Sequence, residues 1–268
     1  MNAANVSWRG SVWARALFDG EPQPVSGFPP SVRVFDGHFA DQPWRTIAVV
    51  PNPEARYRRA RGGEFGLDEG LAVAEAVTQV PVDAALLAVV DMPGQAFGAR
   101  EEAAGLPLAL AVAVEAYATA RRAGRQVFAL VVGRAISGAF LAHGLQAGWI
   151  GALRHAELEV HVMSAASAAR VTRLSAADLA RITAIVPATA RDIATFAAFG
   201  AIDALFGVVD PLAPSAAESA TIRAALRAAR TAGLGLRAPR ERLASDPALR
   251  SRATARRVRE RIAAAWDQ

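Results

Sequence analysis

The sequence predicts an α/β fold with a parallel sheet, and three observations carry that prediction. Residues 84–90 form an unbroken apolar run of strand length, and the second predicted strand, 126–132, is apolar from Val127 onward, the pattern of strands that are covered on both faces. A long stretch with helical periodicity lies between them, as the crossover between two parallel strands requires. Because 53% of the 268 residues are hydrophobic, the chain holds enough apolar surface for one continuous core.

The elements before the first buried strand follow from turn residues and apolar runs. They are, in order, a helix at 12–17, strands at 31–36 and 46–51, an Arg-rich loop at 52–66 and a helix at 67–80. Gly and Pro residues between positions 20 and 30 separate the first helix from the first strand. Asp68 and Glu69 fall in the first turn of the last helix, where its dipole favours acidic side chains.

After the first buried strand the pattern alternates and then becomes helical. The predicted elements are helices at 100–124 and 138–145, strands at 126–132, 149–154 and 159–163, and helices at 165–172, 176–186, 190–200, 215–232 and 248–266. Pro107 predicts a break or kink in the first of these helices. Strand, strand, helix units with a helical end are typical of a layered α/β domain. We divide the chain into an N-terminal helix and loop (1–30), a core (31–210) and an Arg-rich helical C-terminal region (211–268).

The composition excludes several kinds of chemistry. The chain has no Cys, so it has neither disulfides nor thiolate nucleophiles. All thirty basic residues are Arg, which excludes a lysine Schiff base or a lysine general base. The four His residues are dispersed, without carboxylates at ligand spacing, and predict no metal site. No apolar run reaches the ~18 residues that span a bilayer, and the first residues lack a basic signal segment. We therefore expect a cytoplasmic protein without a membrane partner.

The net charge of +5 is concentrated near the C-terminus. Residues 237–261 carry nine Arg against three acidic residues. One interpretation is a solvated amphipathic helix whose Arg stems cover apolar surface. The other is a surface for an acidic partner, such as a carrier protein or a phosphorylated cofactor. A nucleic-acid partner is not expected, because the Arg residues are not interleaved with aromatic residues and no nucleic-acid motif is present.

Two small-residue turns follow the two buried strands, Asp91-Met92-Pro93-Gly94 and the run from Gly133 to Ala139. Each is predicted to join a strand to a helix and to leave backbone N–H groups free to hold a developing negative charge. The candidate donors are the amides of Ser137 and Gly138, and those of Gly94 and Gln95. The alternative is that both are tight turns with Gly for packing. Two such turns suggest thioester enolate chemistry or recognition of an acyl carrier.

His143 lies six residues after Ser137, within the helix predicted to follow that turn. Its ring is expected either to face the same cavity and exchange a proton there or to be a satisfied core residue. His38, His155 and His161 are interpreted as structural. Ser137 is not expected to be a triad nucleophile, since its spacing from Asp91 and His143 matches no known arrangement.

Several strings together resemble one family, the gamma subunit of biotin-independent malonate decarboxylase, within the crotonase-like, carboxyltransferase-type superfamily. They occur in the family's order and cover roughly residues 8–210. The strings are AVVPNP at 48–53, RARGGEFGL at 59–67, DMPGQ at 91–95, GRAISGAFLAHG at 133–144 and VHVMS at 160–164. After Met163 the family often has Gly or Ser followed by Lys, whereas this chain has Ser164-Ala165-Ala166. A basic contribution there is lost or passes to Arg170 or Arg173.

The resemblance implies a crotonase-like (ClpP/crotonase) spiral of β-β-α units with a helical C-terminal region. It further implies an enzyme that, paired with a homologous beta subunit, decarboxylates a malonyl thioester on an acyl-carrier subunit to the acetyl thioester and CO2. No cofactor is expected on the chain itself, because the CoA-like phosphopantetheine group belongs to the carrier. A CoA-transferase-like subunit is a further implied partner. The chemistry is expected at the beta-gamma interface.

The site residues expected from this reasoning fall into two groups. The catalytic candidates are Ser137, Gly138 and His143, and the substrate-binding candidates are Gly94, Gln95, Arg134 and Ala135. Two other functions stay open. The chain is alternatively half of a biotin-dependent carboxyltransferase, or a non-catalytic structural partner that docks the carrier protein through its Arg-rich end.

Overall fold

The computed structural model describes residues 7–39, 41–185, 190–242, 244 and 252–266. The strands in these residues are β1 (Gln23–Pro24), β2 (Val32–Phe39), β3 (Gln42–Val49), β4 (Ala85–Met92), β5 (Val127–Ile136), β6 (Trp149–Arg154), β7 (Glu159–His161) and β8 (Ala204–Gly207). They form one sheet in the order β1-β2-β3-β4-β5-β6-β8, and β7 also pairs with β5. The pairs from β3 onward are parallel, whereas β1, β2 and β3 pair antiparallel.

Helices cover the sheet and make up most of the C-terminal third. They are α1 (Arg9–Ala16), α2 (Leu67–Thr78), α3 (Ala99–Ala103), α4 (Leu106–Arg122), α5 (Ser137–His143), α6 (Ala165–Thr172), α7 (Ala176–Ile185), α8 (Ile193–Ala198), α9 (Ala216–Thr231), α10 (Pro239–Arg242) and α11 (Ala253–Trp266). Short 3-10 turns lie at Arg58–Gly62 and Leu234–Leu236. In the part of the chain that the structure describes, none of the helices combines the length and apolar character needed to cross a bilayer.

The predicted parallel core is confirmed in β4 and β5. Every residue of β4 is buried, and so are the first seven residues of β5. Helices on either side of these strands explain why both runs are continuously apolar. The strands predicted at 31–36 and 46–51 correspond to β2 and β3, but their antiparallel pairing was not predicted, and neither were β1 and β8. β1 and β8 have two and four residues, too few to show a period.

Strand β5 changes partner along its length. Its residues Phe128–Val131 pair with β6, and its residues Arg134–Ile136 pair with β7. Because one edge of β5 serves two different strands in turn, the sheet divides between them. This division brings the end of β7 beside the turn that follows β5.

The predicted N-terminal and C-terminal segments both contribute to the central core. Trp13 and Leu17, at and just after α1, are fully buried in it, and so are Ile222 and Leu226 of α9. The domain boundaries at residues 30 and 210 stay predictions. They do not mark separate hydrophobic cores in the described residues.

The helix predicted over 100–124 is divided in two. Gly105 has a positive φ of 97° and separates α3 from α4. Pro107 then lies in the first turn of α4, where its missing N–H removes no helical hydrogen bond. The predicted break is thus confirmed, and Gly105 is the residue that makes it. Of the helix predicted over 248–266, residues 248–251 lie outside the described residues, and α11 accounts for the rest.

Candidate functional site

The turn after β5 holds Ser137 in a left-handed conformation. β5 ends at Ile136, α5 begins at Ser137, and the φ angle of Ser137 is 57°. For an L residue other than Gly this conformation costs roughly 1–2 kcal/mol. Such strain persists where the surrounding structure fixes it, and it concentrates at functional sites. The predicted strand-to-helix turn is therefore present, and it holds Ser137 in a strained backbone conformation.

The predicted residues Gln95 and Gly138 lie against each other. The Gly138 amide donates a hydrogen bond to Gln95 Oε1 over 3.0 Å. A Cβ at Gly138 would lie 3.4 Å from the Gln95 amide carbon and 3.2 Å from Leu110 Cδ2, so the absence of a side chain permits this approach. One predicted donor thus has a protein acceptor that a ligand must displace or share.

Gly94 and Gln95 do not start a helix, contrary to the prediction for the first turn. Gly94 has a positive φ of 130°, and Gln95 forms a parallel bridge with Phe65. The Gly94 carbonyl accepts the Phe65 amide, and the Phe65 carbonyl accepts the Ala96 amide. The segment is held extended by this short pairing, and α3 begins at Ala99. Pairing with a distant loop overrides the local turn signal.

Asp91 holds the segment that leads into the Ser137 turn. Its buried carboxylate accepts the Arg134 amide over 2.9 Å and the hydroxyl of Ser7, and the Arg134 guanidinium lies 3.8 Å away. Gly133 allows the carboxylate this position, since a Cβ there would lie 2.1 Å from Asp91 Oδ1. Arg134, predicted to bind substrate, is thus also the cationic partner of a buried carboxylate.

A cleft of about 250 Å³ opens beside the turn. We call it the Ser137 cleft. Its lining includes the predicted residues Ala135, Ser137 and Gly138. Most of the remaining lining is apolar and comes from Phe140, Leu141, Leu145, Val160, Val162 and Phe196. Such a lining keeps water away from the backbone donors and strengthens their electrostatic effect.

A second groove, of about 530 Å³, lies next to the Ser137 cleft, between α6, α7 and α8. We call it the α6–α7 groove. The two spaces share His161, Val162 and Phe196 in their walls. On the α6 side the groove wall is weakly packed, since α6 has no buried residue. The two spaces are therefore adjacent, with these three side chains between them.

His143 does not face the Ser137 cleft, so the prediction that it exchanges a proton there is wrong. The residue is fully buried. Its Nε2 lies 3.2 Å from the Ile47 carbonyl and its Nδ1 lies 3.0 Å from the Tyr117 hydroxyl. Burial lowers the pKa of His143 to about 4. The ring points into the core because α5 turns that face toward β3 and α4.

His161, interpreted as structural from the sequence, is the histidine that does line the cleft. It ends β7, and the register places it opposite Ile136, the residue before the turn. Its side chain is 8% exposed. The signal that points to it is its place at the carboxyl end of a parallel strand, where α/β proteins bind ligands. Alternation with apolar neighbours concealed that signal.

The chain has the mixed α/β fold of the crotonase-like, carboxyltransferase-type proteins. The fold matches the transcarboxylase 12S crystal structure with a TM-score of 0.65 and 21% identity, covering 85% of this chain and 41% of that chain. The family model described as malonate decarboxylase gamma subunit matches residues 60–266, and the chain belongs to this family. That match extends past residue 210, where the resemblance in the sequence ended, and includes α11.

Two individual relatives are similar to this chain. A Pseudomonas malonate decarboxylase hetero-tetramer, solved in complex with coenzyme A, contains a chain 40% identical to this one. The match has a TM-score of 0.83 and covers 95% of this chain and all of that chain. A malonyl-S-ACP:biotin-protein carboxyltransferase of Malonomonas rubra is 34% identical over 165 residues. The aligned part is 58% of this chain and 56% of that relative's length.

Proposed function

We propose that this chain is the gamma subunit of a malonate decarboxylase. With a homologous beta subunit it removes CO2 from a malonyl thioester carried by an acyl-carrier subunit and leaves the acetyl thioester. A CoA-transferase-like subunit completes the assembly. Support comes from the family match and from the Pseudomonas relative, which is a hetero-tetramer.

The single observation that carries the chemistry is the Gly138 amide beside the strained Ser137, at the mouth of an apolar cleft. Loss of CO2 from a malonyl thioester leaves negative charge on the thioester oxygen. A fixed backbone donor aimed at that oxygen lowers the barrier by about 3 kcal/mol. The apolar lining destabilises the malonyl carboxylate relative to CO2, because the charge is poorly solvated there.

Gln95 gives the site a resting state. Its Oε1 accepts the Gly138 N–H, so this donor keeps a partner when no oxyanion is present. The neutral amide is a weaker acceptor than an anionic oxygen. An enolate therefore competes for the N–H more strongly than the thioester from which it forms, which is the preference that catalysis requires.

The need for a second subunit is supported by the surface near the cleft. Leu108 and Val112, one turn apart on α4, are 72% and 45% exposed, and Leu141 on α5 is 52% exposed. Large apolar side chains on two packed helices beside a site favour burial against a partner. We assign this surface to the homologous beta subunit, which supplies the rest of the substrate contacts.

The phosphopantetheine-like group belongs to the carrier subunit in this proposal, and the chain provides room for it. The α6–α7 groove is open to the surface and shares a wall with the Ser137 cleft, and we assign the arm to this pair of spaces. When bound, the group supplies the thioester that holds the malonyl unit. Coenzyme A, which contains the same kind of arm, is bound in the Pseudomonas hetero-tetramer.

The test is a reconstitution with the homologous beta subunit. We expect no CO2 release from a malonyl thioester by this chain alone, and turnover by the co-purified pair. Added avidin should leave that turnover unchanged. Turnover that requires biotin, or that avidin abolishes, would instead assign the chain to a biotin-dependent carboxyltransferase, the activity of the Malonomonas relative. No turnover by any assembly would leave the structural-partner function.

A further inference from the structure

His161 occupies a position that the proposed chemistry does not yet use. It lies in the wall shared by the Ser137 cleft and the α6–α7 groove. Its side chain is more than nine-tenths buried. Any ligand that passes from the groove to the Ser137 turn passes this ring.

The Nδ1 atom of His161 is buried without a hydrogen-bond partner among the residues that the structure describes. A buried polar atom left in this state is destabilising, and native proteins retain few of them without a reason. His143, the other buried histidine, shows the usual outcome, since both of its ring nitrogens have partners. The free Nδ1 is therefore a feature to be explained by what enters the cleft.

The groups around His161 determine whether its Nδ1 is a hydrogen-bond donor or an acceptor. Nε2 lies 3.7 Å from Glu159 Oε2, and an ionised carboxylate attracts the nitrogen that carries the proton. Burial and the nearby Arg191 lower the pKa of His161, whereas Glu159 acts in the opposite direction. A pKa below its ordinary value favours the neutral ring, and the carboxylate beside Nε2 favours the tautomer that has its hydrogen on that atom. That tautomer leaves Nδ1 as a hydrogen-bond acceptor.

We infer that His161 Nδ1 accepts a hydrogen bond from an amide-type N–H of the ligand in the Ser137 cleft and positions it. This inference rests on the proposed function in naming the ligand's arm, whose amide groups supply such donors. A biotin ureido N–H has the same chemistry. The experiment below separates these two sources.

Two substitutions distinguish the ring nitrogens. In His161→Asn the short amide places an acceptor near the Nδ1 position, whereas in His161→Gln the longer amide reaches the Nε2 position beside Glu159. In the co-purified beta-gamma complex we expect His161→Gln and His161→Leu to raise KM for malonyl-pantetheine about tenfold, the effect of one lost hydrogen bond. His161→Asn should stay within about threefold of the parent, and kcat should change less than KM. His155→Leu, outside both spaces, serves as the control.

A binding readout makes the test independent of turnover. In a complex containing 15N-histidine, the Nδ1 signal of His161, identified by its loss in His161→Asn, should shift when acetyl-pantetheine is added. A shift with biotin and none with acetyl-pantetheine would confirm the contact and overturn the proposed decarboxylase function. No shift with either probe, or better binding by His161→Gln than by His161→Asn, would overturn the inference itself.

Discussion

The two ends of strand β5 differ in what surrounds them. The amino-terminal part, Val127 to Val132, is fully buried between β4 and β6. The carboxyl end, Arg134 to Ile136, pairs with β7, is partly exposed and leads into the left-handed Ser137. One strand thus supplies both the core and the site. Apolar packing fixes its course, and strain and polar contacts appear only where that packing ends.

Gly133, between the two ends, provides the strongest test of this comparison. In Gly133→Ala the new Cβ would lie 2.1 Å from Asp91 Oδ1 and 2.4 Å from Asp91 Cγ. The buried carboxylate must move and lose the Arg134 amide, so we expect the free energy of unfolding to fall by about 3 kcal/mol or more. Urea denaturation measures this change.

The matched control for that variant is Gly207→Ala at the end of β8. A Cβ there meets no atom within 4 Å, so we expect a change below about 1 kcal/mol. If both variants lower the free energy of unfolding equally, the contact between Gly133 and Asp91 is not what makes Gly133 sensitive to substitution.

The pH dependence of stability tests the assignment of His143 to the buried core. Its pKa is about 4 in the folded chain, because burial disfavours the charged ring, against about 6.5 when unfolded. Between these values the unfolded chain binds the extra proton, so the stabilising contribution of the neutral ring is present above pH 6.5 and lost as pH falls toward 4. The full loss is about 3 kcal/mol.

The measurement compares His143→Gln with the parent chain by urea denaturation at several values from about pH 7.5 to 4.5. We expect the parent to lose more stability than the variant over this range, even though the variant is less stable at neutral pH. Parallel curves for the two proteins would contradict the assignment of His143 to the core.

The core could be predicted from the sequence because each buried strand is a local apolar run. The strands predicted at 84–90 and 126–132 correspond to β4 and β5. The division of the sheet along β5 could not be predicted, because it depends on which distant strand pairs with each half of β5. The motif around residues 133–144 led to Ser137 and Gly138. It did not show that Gln95, about forty residues earlier, accepts the Gly138 amide.

The two histidines show the same limit. His143 lies in the long family string at 133–144, whereas His161 lies in the short string at 160–164. The sequence reasoning therefore favoured His143 as the catalytic candidate. The direction in which α5 turns a side chain depends on the packing of Phe65, Tyr117 and Ile47 around it, which the sequence does not display. Burial decided against the motif residue.

Gln95 tests the functional end of β5 through its contact with the Gly138 amide. In Gln95→Glu a carboxylate would accept the Gly138 amide more strongly than the native amide oxygen does, and it would repel a developing enolate. We expect the turnover of the beta-gamma complex to fall about a hundredfold, as for the loss of one oxyanion donor. Gln95→Leu, which leaves the N–H free for the ligand, should retain most of the activity. CO2 release from a malonyl thioester is the readout, and equal losses in both variants would contradict this role for the Gly138 amide.

Ser137 gives the smallest expected effect and separates strain from chemistry. Ser137→Gly relieves the left-handed conformation but adds flexibility to the unfolded chain, so we expect the free energy of unfolding to rise by about 0.5 kcal/mol. Arg173, with a φ of 58° at the end of α6, is the matched position, and Arg173→Gly should stabilise by a similar amount. If the Ser137 strain positions the Gly138 donor, Ser137→Gly should also lower turnover several-fold, whereas Arg173→Gly should not. Stabilisation at both positions with unchanged turnover would mean that the strain at the carboxyl end of β5 has no part in the chemistry.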